Sequence, residues 1–141
     1  MKQEDKELLL QDLCSRLPYG VKCKVWYNDK ILNIKCTGID FYTNTVNLDI
    51  PEDDNAKVYV DNIKPYLFPL SSMTEEQKRE YNSLRDFVPT YHYEYGDIVE
   101  DTELYDNWES INYLIANHFD YRRRGLIPMG LAIDATGLNI Y

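Results

Sequence analysis

Histidine, cysteine and long apolar runs are scarce in this chain of 141 residues. It has two histidines, and its three cysteines, Cys14, Cys23 and Cys36, are odd in number and lack a CxxC spacing. These features argue against a disulfide framework and a zinc knuckle, and they predict reduced, mostly buried thiols. No run approaches the roughly 20 apolar residues that span a bilayer, and the start, MKQEDKELLL, is too acidic for a secretion signal. We therefore expect a cytoplasmic protein with no membrane partner.

Lysine and arginine are absent between Arg85 and Arg122. The acids in that interval are Asp86, Glu94, Asp97, Glu100, Asp101, Glu103, Asp106, Glu109 and Asp120. These nine acids equal the net charge of −9, because the other 15 of the 24 acids balance the 15 Lys and Arg residues. The charge distribution predicts a neutral part and a strongly acidic part, and duplex nucleic acid would avoid the acidic part.

Recognisable catalytic and cofactor motifs are also missing. No GxSxG, P-loop, GxGxxG or HExxH pattern occurs in the chain, and these patterns mark the commonest recognisable enzyme classes. Residues 53–55 resemble part of a calcium loop but lack its glycine and its terminal glutamate. His92 and His118 offer too few ligands in one place for a metal site. We therefore expect no metal, no cofactor and no catalytic residue.

The apolar pattern of the first half predicts a helix followed by a small β structure. Leu9, Leu13 and Leu17 recur at helical spacing, and residues 21–27 then alternate as in a strand with one buried face. Further alternation predicts a meander of three strands, a fourth strand at 57–60, a one-turn connection and a short last strand. This order of elements is that of an SH3-like small barrel, whose closure would protect the edges of so short a sheet.

After residue 70 the pattern changes to helical spacing. Thr74 followed by Gln77 matches a capping box, and Ser72 followed by Glu75 is an alternative frame. The apolar spacing that follows predicts a helix that continues as far as Pro89.

The rest of the chain predicts an extended piece and a second helix. Three tyrosines alternate with polar side chains in residues 91–95 and predict an extended segment that ends at Gly96. The second helix is predicted to start near Asp101 or Asp106, with Asp106 and Glu109 at its cap and N3 positions. Its apolar stripe comprises Leu104, Trp108, Ile111, Ile115 and Phe119.

These elements predict an α+β protein with an N-terminal helix, a small SH3-like β-barrel and C-terminal helices packed against it. Residues 1–70 would hold the first helix and the barrel, and residues 71–141 would form a helical C-terminal part. We expect the two parts to make one compact unit.

The most unusual feature is an acidic and aromatic stretch from about residue 87 to residue 120. Tyrosine offers a large contact area at a low entropy cost, and acids around it steer a basic partner. The residues expected to contact a protein partner are Tyr91, Tyr93, Glu94, Tyr95, Asp97, Glu100, Asp101, Glu103 and Tyr105. Spaced carboxylates also imitate phosphates, so mimicry of nucleic acid is a second use of this surface. Trp108 fits the helical stripe and is expected in the core.

A polar cluster ends the predicted second helix and comprises His118, Asp120, Tyr121, Arg122 and Arg124. A histidine beside an aspartate fits a general base with an orienting carboxylate, and the arginines fit a bound anion. The same residue types also stabilise the unpaired carbonyls of a helix C-terminus. We expect a structural junction, and an enzyme that uses His118 and Asp120 is an alternative hypothesis.

A basic face on the predicted barrel gives another alternative. Lys22, Lys24 and Lys35 share the strand alternation with Trp26, and lysines around an aromatic platform are the ingredients of single-strand binding. Ordinary solubility lysines on an outer sheet face account for the same pattern. Nucleic-acid binding by the barrel, aided by residues 122–124, is therefore our second hypothesis. We favour the solubility interpretation and expect no nucleic-acid partner.

Three segments resemble a family of short uncharacterised proteins encoded by phages, prophages and mobile elements of gut anaerobic bacteria. They are KELLLQDLCSRLPYGVKC (6–23), KPYLFPLSSMTEEQ (64–77) and WESINYLIANHFDYRRRGLIPMGLAIDA (108–135). The family patterns look like KPYLRPMSSMTEEE and NAHHFDYRGLI, so this chain has three arginines where the family has one before the glycine. The resemblance implies a phage or mobile-element setting, in which small acidic proteins often bind a host or phage protein. Our leading hypothesis is therefore a non-catalytic accessory protein that binds another protein.

Overall fold

The computed structural model describes residues 1–121 and 125–141 and shows an α+β protein with an N-terminal helix, a mixed sheet and C-terminal helices. In chain order the elements are α1 (Gln3–Arg16), β1 (Lys22–Tyr27), β2 (Lys30–Asp40), β3 (Thr45–Leu48), β4 (Lys57–Tyr59), β5 (Ile63–Leu67), α2 (Glu75–Leu84), β6 (Asp86–Glu94), β7 (Asp97–Tyr105), α3 (Trp108–Ala116) and β8 (Ile133–Asp134). A 3₁₀ turn at Val60–Asn62 connects β4 to β5.

The chain forms two compact units. The first unit comprises Met1–Ser72 together with Ile115–Tyr141, and the second unit comprises Met73–Leu114. The chain therefore leaves the first unit after Ser72 and returns to it within α3. The predicted C-terminal part, 71–141, is divided between both units.

Helix α1 forms at the predicted place and buries Leu9 and Leu13 of the predicted stripe, whereas Leu17 is half-buried in the 3₁₀ turn that follows the helix. Leu9, Leu10 and Leu13 are fully buried, because the spacing of three and four residues puts them on one face. Cys23 and Cys36 are buried free thiols, as predicted, whereas Cys14 of α1 is exposed, contrary to the prediction.

The main sheet has the strand order β4-β3-β2-β1-β5-β8. Strands β1, β2 and β3 form the predicted antiparallel meander, and β5 pairs antiparallel with β1. The pairing of β2 with β3 shifts register between Cys36 and Gly38. Strand β8 adds parallel to β5. In the described part of the chain no pairing closes this sheet into a barrel, so the SH3-like barrel stays a prediction.

The core of the first unit lies between α1 and the sheet. Val21, Cys23 and Val25 of the first strand region are buried, whereas Trp26 on the other side of the alternation is exposed. Leu126 and Leu131 from the C-terminal segment join the same cluster. The period of two therefore decides which side of β1 faces the core.

The second unit begins with the predicted helix. Thr74 accepts a hydrogen bond from the Gln77 amide, and the Gln77 side chain accepts one from the Thr74 amide, so the capping box is confirmed. The helix ends at Leu84 and not near Pro89. The prediction was wrong there because residues 86–94 form β6, which includes Pro89.

A β-hairpin replaces the expected helix start near Asp101. Residues 97–105 form β7, which pairs with β6 across a two-residue turn at Tyr95 and Gly96. Both turn residues have positive φ, 52° and 85°, the conformation of the tight turns that match strand twist. Leu104, which we placed in the helical stripe, therefore lies in a strand.

Helix α3 is capped by Asn107, one position after the predicted cap at Asp106. Asn107 and Ser110 cap it reciprocally, since each side chain bonds the other residue's amide. The buried side of α3 carries Leu114 and Ile115, whereas Trp108 in its first turn is 81% exposed. Trp108 is therefore not a core residue, contrary to the prediction, and Phe119 is buried beyond the helix end.

Candidate functional site

The hairpin of β6 and β7 carries every residue that the sequence analysis assigned to partner binding. Opposed residues of an antiparallel pair share one side of the sheet, and neighbours along a strand alternate. The register pairs Phe87 with Leu104, Tyr91 with Glu100 and Tyr93 with Ile98 on one side. The hairpin therefore has two chemically different faces.

The aromatic face consists of Phe87, Tyr91, Tyr93, Ile98 and Leu104. Glu100 lies among them opposite Tyr91. Tyr91 and Tyr93 are 66% and 79% exposed, and Phe87 and Ile98 are exposed to a similar extent. An exposed cluster of large apolar side chains marks an interaction site more often than a scattered apolar residue does.

The acidic face lies on the other side of the hairpin and consists of Asp86, Glu94, Asp97, Asp101 and Glu103. His92 is the one basic side chain there, and its Nε2 lies 3.7 Å from Glu94 Oε2. Tyr105 also lies on this side, and its hydroxyl donates to Glu103 Oε2. The sequence grouped acids and tyrosines into one surface, and the strand register distributes them over two faces.

Tyr95 is on neither face, because it occupies the turn. It is 98% exposed at the tip of the hairpin, where its backbone takes the left-handed conformation. Its side chain is therefore the most accessible aromatic group of the hairpin.

A polar network fastens the base of the hairpin within the second unit. Arg85 Nη2 donates to the Leu104 carbonyl at 2.7 Å, and Arg85 also pairs with Asp106 at 3.4 Å. Tyr81 donates its hydroxyl to Asp106, and Asn107 bonds the Leu84 carbonyl at 2.6 Å. These bonds fix both ends of the hairpin to the helices.

The second unit has little apolar core to cover the hairpin. Within residues 73–114, all of which are described, the buried side chains are Met73, Tyr81, Ser110 and Leu114. Every residue of β6 and β7 is exposed or half-buried. An isolated two-stranded hairpin is marginally stable in water, and side chains on both faces of this hairpin are exposed to solvent.

The second predicted cluster has structural contacts. Asp120 is buried and accepts the amides of Leu126 and Ile127 at 3.0 and 2.9 Å, which fixes the C-terminal segment. Tyr121 is also buried. Arg122 and Arg124, which completed this cluster in the sequence analysis, lie outside the described residues.

His118 stacks on Tyr141, with ring centroids 3.7 Å apart and planes 10° from parallel. Burial is the main cause that lowers the pKa of His118 to about 4, and the positive charges of Arg16 and Lys35 act in the same direction. A neutral histidine at neutral pH is compatible with a general base. Within the described residues, however, no contact joins His118 to Asp120.

The basic face of the first unit is partly committed to internal bonds. Lys22 Nζ donates to the Ile140 carbonyl at 2.9 Å, and Lys24 Nζ lies 5.3 Å from the ring centroid of Trp26. Trp26 also lines a surface cleft of about 490 Å³ together with Lys57 and Tyr59. Trp26 is therefore accessible at this cleft. Lys57, which was not among the predicted lysines, lines the cleft, whereas Lys22 is bonded to Ile140.

Sequence reasoning missed a buried ion pair on α1. Arg16 Nε lies 2.7 Å from Asp12 Oδ2, and both side chains are fully buried. Arg16 Nη2 also donates to the Phe119 carbonyl at 2.8 Å. The available signal was the i, i+4 spacing of an acid and an arginine beside Leu9 and Leu13, inside the apolar stripe.

Comparison with protein-family models, curated proteins and solved structures gave no match. In residues 1–121 and 125–141 no group of three or more His, Cys, Asp or Glu is placed to hold a metal ion. Among the same residues no helix combines the length and apolar character needed to cross a membrane.

Proposed function

We propose that this protein is a non-catalytic accessory protein of a phage or mobile element that binds a host or phage protein through the β6–β7 hairpin. The observation that carries the proposal is the exposure of both hairpin faces in a unit with few buried side chains. A few residues supply most of the binding energy in protein interfaces, and tyrosine, tryptophan and arginine are enriched among them. Acids beside them raise the association rate of a basic partner.

A capture experiment tests the proposal with the full chain as bait in a nuclease-treated lysate of a gut anaerobic bacterium. The aromatic variant carries Tyr91→Thr, Tyr93→Thr and Tyr95→Asn, which keep strand and turn preferences. We expect the captured protein to be lost with this variant, while the melting temperature falls by no more than about 2 °C because the side chains are exposed.

An acidic variant and a control variant complete the design. Asp97→Asn, Asp101→Asn and Glu103→Gln remove charge from the acidic face and should slow association, most strongly at low salt. The control replaces Phe41 and Tyr42 by Ser, exposed aromatics of the first unit. Equal capture by the wild type and both hairpin variants would contradict the proposed function, as would a large loss of stability in the aromatic variant.

A second candidate function is binding of single-stranded nucleic acid by the first unit. The strand order of the first unit and the 3₁₀ turn between β4 and β5 support an SH3-like small barrel, a fold that would suit this function. The favourable observation is the cleft with Trp26, Lys57 and Tyr59. Capture that disappears after nuclease treatment and weakens steeply with salt would favour this function over protein binding.

A further inference from the structure

We infer that the partner binds the hairpin by strand addition: an extended segment with alternating basic and apolar residues pairs with the outer edge of β7. This inference rests on the proposed function and names the chemistry of its partner. Exposed strand edges bind extended peptides through main-chain hydrogen bonds, and alternate side chains give specificity.

The outer edge of β7 is identified by two side-chain contacts. The Thr102 amide donates to Asp101 Oδ1 at 2.8 Å, and the Leu104 carbonyl accepts from Arg85. These main-chain groups therefore point away from β6. Since orientation repeats every second residue in an antiparallel pair, the amides and carbonyls of Ile98 and Glu100 point outward too. Within the described chain the sheet of β6 and β7 has two strands, so these groups have no strand partner.

The outer edge of β6 is blocked by Pro89. The register sets Pro89 opposite Thr102, so the position that lacks an amide hydrogen faces the outer side of β6. Proline on an edge strand is a common protection against pairing, as are lysine and bulges. Strand β7 has none of the three: its sequence is DIVEDTELY and its register with β6 is continuous. A partner strand is therefore expected to pair with β7 and not with β6.

The charge of β7 selects a basic strand over a second copy of this chain. The acids on β7 are Asp97, Glu100, Asp101 and Glu103, and it has no lysine or arginine. Pairing of β7 with another β7 would set like charges opposite each other, which is unfavourable. A strand with Lys or Arg at alternate positions would meet Asp101 and Glu103 on the acidic face. Its apolar side chains would extend the aromatic face.

The test uses the full chain and an alternating lysine–valine octapeptide, with a block peptide of four lysines and four valines as the control for charge. We expect the alternating peptide to bind at least about tenfold more tightly and to slow amide hydrogen exchange at Ile98 and Glu100. The amides of Phe87 and Tyr91, on the β6 edge, should keep their exchange rates. Equal binding of both peptides, no binding of the alternating peptide, or protection of the β6 edge would overturn the inference.

A matched pair of variants at Glu100 distinguishes the contribution of the main-chain edge from the contribution of the negative charge to peptide binding. Glu100→Pro removes an outward amide, whereas Glu100→Gln removes only the negative charge. We expect affinity for the alternating peptide to fall by about tenfold or more in Glu100→Pro and by less than about threefold in Glu100→Gln. Equal affinities would overturn strand addition. The exchange measurement on the wild-type chain decides the question even if Glu100→Pro disturbs the hairpin.

The two proposals fail differently in the capture experiment. A partner that is lost with the aromatic variant but retained by Glu100→Pro would keep the proposed function and reject strand addition. A partner that is retained by every hairpin variant would reject both proposals.

Discussion

His118 is the residue whose ionisation bears most directly on stability. In the folded protein its pKa is lowered to about 4 from 6.5, first by burial and then by Arg16 and Lys35. Between these two values the unfolded chain binds a proton on His118 that the folded chain does not bind. Folding is therefore opposed increasingly as the pH falls through this window.

We expect the free energy of unfolding to decrease from pH 6.5 toward pH 4, with a slope of at most about 1.4 kcal/mol per pH unit from this one group. His118→Asn, which suits the positive φ of 64° at this position, should flatten the slope. Urea unfolding at several pH values measures it. His92→Asn, at the exposed histidine of β6, is the control and should keep the slope. An unchanged slope in His118→Asn would contradict the assignment.

The buried pair Asp12–Arg16 shows why single residues of a helix are hard to place from sequence. A solvent-exposed i, i+4 ion pair and a buried one have the same spacing, and only the surrounding fold distinguishes them. Here the carbonyl of Phe119 supplies the additional acceptor for Arg16. That contact joins residues 103 positions apart, so no local sequence pattern predicts it.

Elements with strong local signals were predictable, and elements that depend on competition between two patterns were not. The meander of β1 to β3 follows from alternation, and the start of α2 follows from its capping box. Residues 97–105 contain Leu104, the first member of the predicted helical stripe, and also the β-branched Ile98, Val99 and Thr102. These residues form a strand because they pair with β6 across the tight turn.

At the level of the element, the capping box of α2 gives a direct test. Thr74→Ala removes the acceptor of the Gln77 amide and should lower the free energy of unfolding by about 1 kcal/mol. Thr74→Ser keeps the hydroxyl and should change it by less than about 0.5 kcal/mol. Urea unfolding followed by far-ultraviolet circular dichroism compares them. Equal losses in the two variants would show that the hydroxyl does not cap the helix.

At the scale of the whole molecule, the two units differ in what holds them together. The first unit has a large apolar cluster around Leu9, Val25 and Leu126. The second unit relies on caps, ion pairs and main-chain bonds, which are individually weak in contact with water. The two units should therefore open at different free energies.

Native-state hydrogen exchange measures this difference. We expect the ladder amides of β6 and β7, such as His92 and Val99, to exchange at least about tenfold faster than Cys23 and Val25 of β1. A bound partner would remove the difference by stabilising the hairpin. Equal protection in the free protein would contradict the view that the hairpin lacks support from a core.

The turn residue Tyr95 destabilises the hairpin through its backbone conformation. A tyrosine with φ of 52° is less stable there than asparagine or glycine would be, by about 1 kcal/mol. The side chain contributes little to folding, since it is 98% exposed. Tyr95→Asn, one of the substitutions that should reduce binding, should thus also strengthen the turn. If the proposed partner contacts Tyr95, the hairpin tip exchanges stability for contact, and a chain optimised for folding alone would carry asparagine or glycine there.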